Sequence, residues 1–408
     1  MRRIYLDNAS VSPLRPEAAA AMTEAIGLPS ADAGRLHADA LPVRDVIEAA
    51  RVQVANLVGA NARYVTFVSG FPEAAATWVQ PSSGEPDFDV VTSRMERTSV
   101  TSQIRGQRFD VDIDRGGRIR LDDATNVLAR VAATGRRTRA VFEHTNNETG
   151  VRQPVHMLAE LSSLYRVPLL VDAAQGIVAD DIDLGGLGAN AVYVDSALIG
   201  GPSGVGALIT DRRTRLTPLF SGSAQERGRR AGLEPTVLIA GFGAAADAAV
   251  KNRHRESAAL QQVALCWDRL VTSTIPDVSI AGVDDVTGMG VSLGRDRPGT
   301  GAALLEGCST NTEPSVERTL APSVRTIMVD GVVAEGLVIA LDQGGVSAHS
   351  GSACSAETWQ PSPVLDAMGL DSNSSLRVSF GWHTTTAEVE QAVGILSDAV
   401  HKMRSLRP

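Results

Sequence analysis

The chain has 408 residues, 43% hydrophobic and 21% charged, with a net charge of −9. That length predicts two domains, and an acidic balance without any basic block excludes nucleic acid as an expected partner. No apolar run reaches the roughly 18 residues of a membrane span, no signal peptide is expected, and three cysteines without paired spacing predict neither disulfide nor metal site, so a cytoplasmic thiol protein is expected.

Residues 1–14 read as an N-terminal arm. Downstream, apolar β-rich runs alternate with helical stretches. Strands are predicted at 64–69, 89–92, 140–143, 169–172, 191–194 and 206–210. Helical periodicity covers 46–57, 124–133, 155–165 and 235–251. Such alternation predicts an α/β domain over 15–250 with a mostly parallel sheet. A long helix from about 235 to 275 leads into a smaller C-terminal α/β domain, formed by 251–408 together with the arm 1–14. The stretch 284–322 is rich in Gly, Thr, Ser and Pro and reads as an irregular insertion.

The motifs follow in chain order. Leu6-Asp-Asn-Ala9 precedes Pro13. His144-Thr-Asn-Asn-Glu-Thr-Gly150 follows the strand at 140–143, and Val171-Asp-Ala-Ala-Gln175 ends the next. Gly201-Pro202, Gly204 and Gly206 follow the strand at 191–194. Then come Gln225-Glu-Arg-Gly-Arg-Arg-Ala-Gly232, Ser350-Gly-Ser-Ala-Cys354 and Leu376-Arg-Val-Ser-Phe-Gly381. Together and in this order they resemble the cysteine desulfurases, class V aminotransferases that use pyridoxal phosphate (PLP).

The resemblance implies a fold-type-I PLP-transferase architecture and a role for each matched residue. Asp172 would face the pyridine nitrogen and keep the ring an electron acceptor. Asn147 and Gln175 would contact its O3′. Arg377 would clamp a substrate carboxylate as a bidentate pair. Cys354 would attack sulfur and carry it away as a persulfide. The family's active sites lie at a dimer interface, so a homodimer is implied.

Against this background the departures cluster. The family's Ser-x-His-Lys reads Asp195-Ser196-Ala197-Leu198, so Leu198 stands where a Schiff-base lysine is required. Only Lys251 and Lys402 exist in the chain, both on predicted helices. The phosphate-cup motif Ser-Gly-[Gly/Ala]-Thr-Glu reads Ser69-Gly-Phe-Pro-Glu73, where Pro72 removes a hydroxyl and an amide donor. Asp195 places a carboxylate where a cup hydroxyl belongs, and Leu233 replaces the threonine of Arg-x-Gly-Thr. The ring-stacking histidine of Glu-His is Arg97, expected to pair with Asp172 or Asp195.

These losses lead to the expectation that no cofactor is carried. The chain reads as a pseudoenzyme: a scaffold, a regulator or a Cys354 sulfur relay, partnered by an active desulfurase or a sulfur acceptor. The alternatives are an enzyme whose repurposed pocket binds an anionic small molecule, and a weak desulfurase holding PLP without a covalent bond.

Overall fold

Among the described residues, seven strands form the main sheet: β2 (Val65–Val68), β3 (Asp89–Ser93), β4 (Arg108–Val111), β5 (Thr138–Glu143), β6 (Leu169–Asp172), β7 (Ala191–Asp195) and β8 (Gly206–Thr210), following β1 (Ile4–Tyr5) in the N-terminal arm. The computed structural model describes residues 3–82, 84–283, 319–350 and 362–406. Strand order in the sheet is β2-β8-β7-β6-β5-β3-β4. Pairing is parallel from β4 through β7, and β8 runs antiparallel to both β7 and β2. β2, β6 and β8 are short runs buried along their whole length and β7 is buried up to Asp195, as a sheet covered on both faces requires. The sheet is therefore the expected α/β fold.

β4 escaped the sequence reading because Arg108 and Asp110 alternate with Phe109 and Val111, exposed against buried. That pattern belongs to an edge strand, which needs only one apolar face.

A second sheet is built from β9 (Val278–Ile280), β10 (Val324–Val329), β12 (His349–Ser350) and β13 (Ser375–Ser379), in the order β12-β13-β10-β9. β1 pairs in parallel with β11 (Val346–Ser347). Ile4 and Leu6 thereby join a core with Trp267, Ile327, Leu376, Phe380 and Leu396. The helix Thr236–Thr274 runs through both cores: Ile239, Phe242 and Ala245 sit in the main-sheet core, and Leu260, Val263 and Trp267 in the second. Cys308, Cys354 and most of the predicted insertion lie outside the described residues.

Candidate functional site

Chemistry-bearing residues gather at the carboxyl ends of β5, β6 and β7, where ligands of open α/β sheets bind. Asp172 ends β6 and is 3% exposed. One of its oxygens accepts from the Ala174 amide at 3.1 Å, and the other is in salt-bridge contact with the Arg97 guanidinium. Arg97 precedes the short helix Thr98–Thr101, and the centre of its guanidinium lies over the Phe71 ring, 4.5 Å from the centroid. A planar cation with an aromatic below it and a carboxylate at its edge uses both binding modes of arginine.

Asp195, at the end of β7, is not bonded to Arg97. It accepts from the Tyr193 hydroxyl at 2.6 Å and from the Ala197 amide at 2.8 Å. The Tyr193 hydroxyl has room because Gly206 stands opposite Asp195; a Cβ on Gly206 would come within 2.6 Å of the hydroxyl oxygen. Burial and the Asp195 charge both push the Tyr193 phenol well above its ordinary value. Tyr193 in turn packs against Phe71, 4.9 Å between ring centroids. Leu198 lies in the 3₁₀ turn Ala197–Ile199, packed on the cluster of Val68, Phe71, Ala174 and Tyr193. Leu198, where the resemblance implies the family lysine, is thus a half-buried apolar side chain packed on that cluster.

The other matched residues also converge. Gln175 donates to the Ser323 hydroxyl at 3.0 Å, and its buried Oε1 has no partner among the described residues. The buried Oδ1 of Asn147 is likewise unpartnered, while its backbone carbonyl accepts from Arg377 at 3.3 Å. Arg377, on β13, donates to Asp7 at 3.0 Å and to Ser10 at 2.9 Å, so the N-terminal motif orients it. Its Nε is buried without a partner among the described residues. The sequence reading of Cys354 concerns a residue outside the described ones.

Two features were missed in the sequence. The first is a group of enclosed carboxyls, the buried Glu96 and Glu143 and the half-buried Glu148. Burial raises all three, and the neighbouring Glu96 charge helps push Glu143 to about 8. Asn146 donates to Glu143 at 2.8 Å and Thr92 to Glu96 at 3.1 Å. The available signal was an acid closing the apolar run 140–142, directly before the His144 loop. The second is Glu73. Its carboxylate accepts from the Ser69 amide at 2.7 Å, at the start of the helix Phe71–Val79, and pairs with Arg230 at 3.1 Å.

The comparisons agree along the whole chain. The family model for class V aminotransferases matches residues 4–285 and 303–392. Cysteine desulfurase IscS 1 of Archaeoglobus fulgidus is 28% identical over 420 residues, covering 99% of this chain and 98% of the relative. Cysteine desulfurase IscS of Acinetobacter baumannii is 30% identical over 425 residues, covering 100% and 95%. Among solved structures, a NifS-like protein from Rickettsia africae superposes with a TM-score of 0.80 at 20% identity, covering 98% of this chain and 99% of that one. At that identity it speaks for the fold-type-I PLP-transferase architecture alone.

The expectation that no cofactor is carried is corrected by these findings. A class V match across both parts of the chain and full-length desulfurase relatives point to PLP rather than to none. The physical reason is that the losses weighed in the sequence concern chiefly the covalent anchor and the phosphate cup, whereas the groups that meet the ring remain apart from the stacking histidine, which is Arg97 here. Asp172 ends its strand as a carboxylate would have to, and Asn147 and Gln175 keep buried oxygens without partners among the described residues. These residues fit a pyridine ring; Leu198 cannot fit a covalent link. When bound, PLP supplies an electron sink, and Asp172 would be the residue that holds its ring nitrogen. On the family model, the relatives and the shared motifs, the chain belongs to the class V aminotransferases, in the cysteine desulfurase family.

Proposed function

We propose that this chain is a desulfurase-family protein that does not run the lysine-dependent reaction itself. It would serve sulfur metabolism in the cytoplasm as a scaffold, a regulator or a relay in which Cys354 carries sulfur received from an active desulfurase. The observation that carries this reading is Leu198. PLP chemistry in this fold starts from a lysine amine, and leucine offers none. Neither lysine of the chain can stand in. Lys251 sits on the helix Thr236–Thr274, paired with Asp247 at 2.6 Å, and Lys402 is exposed on the helix Thr386–Ser405. With PLP as the family cofactor, the chain would hold it without a covalent bond.

Dimerisation is part of the same reading. Phe220 and Leu233 are 69% and 65% exposed in the single chain. Large apolar side chains this open, on the segment that carries the Gln225–Gly232 motif, suit a surface that a second subunit covers.

The test is a turnover assay. Purified protein supplied with PLP and cysteine is expected to release no alanine above the rate of PLP in buffer. Many turnovers of alanine per chain would overturn the reading.

A further inference from the structure

Arg377 does not present a free fork to an incoming anion, because the chain already uses its outer nitrogens. Nη1 donates to the Asn147 carbonyl at 3.3 Å, and Nη2 to Asp7 at 3.0 Å and to Ser10 at 2.9 Å. The Asp7 carboxylate also offsets the guanidinium charge. The nitrogen left over is Nε, buried and without a partner among the described residues. One donor on a neutralised arginine is a poor carboxylate site, since two parallel N–H groups give such a pair its strength.

A second donor stands across the sheet. His349 on β12 is the direct partner of Arg377 on β13, and opposed residues of antiparallel strands share a face, with Cβ atoms about 4.5 to 5.5 Å apart. His349 Nδ1 is buried and, like Arg377 Nε, has no partner among the described residues. Burial first and the Arg377 charge second push this imidazole below its ordinary value, while Asp7 works the other way. The empty site therefore favours neutral imidazole: a proton on Nδ1 would sit beside a guanidinium and find no acceptor. A carboxylate held between the two side chains removes both objections, since it accepts from each and offsets the added cation. The other charged groups around the pair are Tyr5 and Glu148, both of which feel the Arg377 charge. The helix Ala334–Gln343, which packs on β12, adds Glu335 in its first turn and Asp342, which is tied to Arg3.

We infer that His349 completes the Arg377 site: Nδ1 of a protonated His349 and Nε of Arg377 together hold the carboxylate of one small molecule, so that each anion bound takes up a proton with it. His349 stands one residue before the Ser350–Cys354 motif and belongs to none of the motifs read in the sequence. It makes the site selective by charge and by pH. With His349 neutral, Arg377 and Asp7 cancel and little draws an anion in; with His349 charged, the three carry a net positive charge. By linkage, whatever favour the anion does the proton, the proton does the anion. The inference goes beyond the sulfur-relay reading and can stand or fall apart from it, because the probe below contains no sulfur and no donor desulfurase is present.

The experiment uses the full-length protein and two probes, glycolate and its neutral amide, glycolamide. Glycolate is an anion at every pH used, so its own titration does not enter. Histidine ring signals are followed by NMR from pH 8 to pH 5.5, and the His349 signal is the one missing from His349→Gln. Glycolate is expected to bind wild type about fivefold or more tighter at pH 5.5 than at pH 8, and to raise the His349 midpoint by about 0.7 or more, the same fivefold read from the proton's side. Glycolamide is expected to leave that midpoint where it was. His349→Gln should bind glycolate with an affinity that is flat within about twofold over the range. A pH profile that survives His349→Gln would assign the linkage to Glu148 and overturn the proposal, and an equal rise with glycolamide would overturn the charge argument. Should His349→Gln not fold, wild type decides alone: if none of the seven histidine signals moves its midpoint with saturating glycolate, the proposal is wrong.

Discussion

Glu143 closes β5 with its carboxyl 1% exposed, beside the equally enclosed Glu96. Burial raises it from 4.5 to about 8, so between those values the folded chain keeps a proton that the unfolded chain releases. Its contribution to stability is therefore full below about pH 4.5 and lost as pH rises through about 8. Glu143→Gln keeps an acceptor for Asn146 and removes the titration. From pH 5 to pH 8 the variant should gain on wild type by up to about 1.4 kcal/mol per pH unit, read from urea unfolding at several pH values; parallel curves would refute it. His144 works in the opposite sense. Burial lowers it, so its contribution is lost as pH falls below its ordinary value, equally in both proteins. The sequence made the Arg97 and Asp172 encounter legible, because both stand at motif positions that converge in the family. It hid Glu143, since an acid after an apolar run ordinarily marks the point where a strand meets water. Only the packing of the neighbouring strand ends turns it into a buried group.

At the scale of elements, the turn Gln225–Gly228 shows how a motif is held. Glu226 and Arg227 both adopt left-handed backbone, with φ of 46° and 58°, a conformation that costs a non-glycine residue on the order of 1 kcal/mol. The Glu226 carboxylate accounts for it. Buried, it takes two bonds of 2.7 Å from Arg51 and one of 2.8 Å from the Phe67 amide of β2. Glu226→Ala would leave Arg51, itself 3% exposed, with only the more exposed Glu48 at 3.0 Å as a charge partner, and should destabilise the fold by about 3 kcal/mol, measured by denaturant titration; a loss below about 1 kcal/mol would rule the role out. Apolar strands such as β6 and β7 were legible because burial on both faces leaves a continuous signature. β4 was not, and neither were the helix Pro16–Ile26 nor the first turns of the helix Ala40–Leu57. In these the buried positions are largely alanines and a few scattered aliphatics, a weak periodic signal. The buried Arg51–Glu226 pair joins residues 175 apart in sequence, and no local pattern announces it.

For the molecule as a whole, the sulfur-relay reading predicts where label should travel. Mixed with an active desulfurase and ³⁵S-cysteine, the protein should acquire label on Cys354, and Cys354→Ser should abolish it. A thiolate that attacks the outer sulfur of a donor's persulfide takes that sulfur and releases the donor's thiolate, without a cofactor of its own. Equal label on Cys266, which is buried, or on Cys308 would mean unspecific transfer and refute the relay. The fold class was legible because motif order and strand alternation agree over nearly the entire length; the filling of the pocket was not, because it depends on which side chains reach one another across strand ends. The helix Thr236–Thr274 has a further consequence. At 39 residues it is about 58 Å long, and it commits Ile239 to Ala246 to one core and Leu260 to Val271 to the other. The two apolar stripes are therefore locked in rotational phase. One residue inserted between them, near Arg253, would turn the second stripe by about 100° and advance it by about 1.5 Å, aiming Trp267 away from Phe380. Seven residues, close to two full turns, would nearly restore the aim while moving the second core about 10 Å along the axis. A length change in the middle of that rod would thus break one core or the other, whereas the loops beyond its ends can take one up.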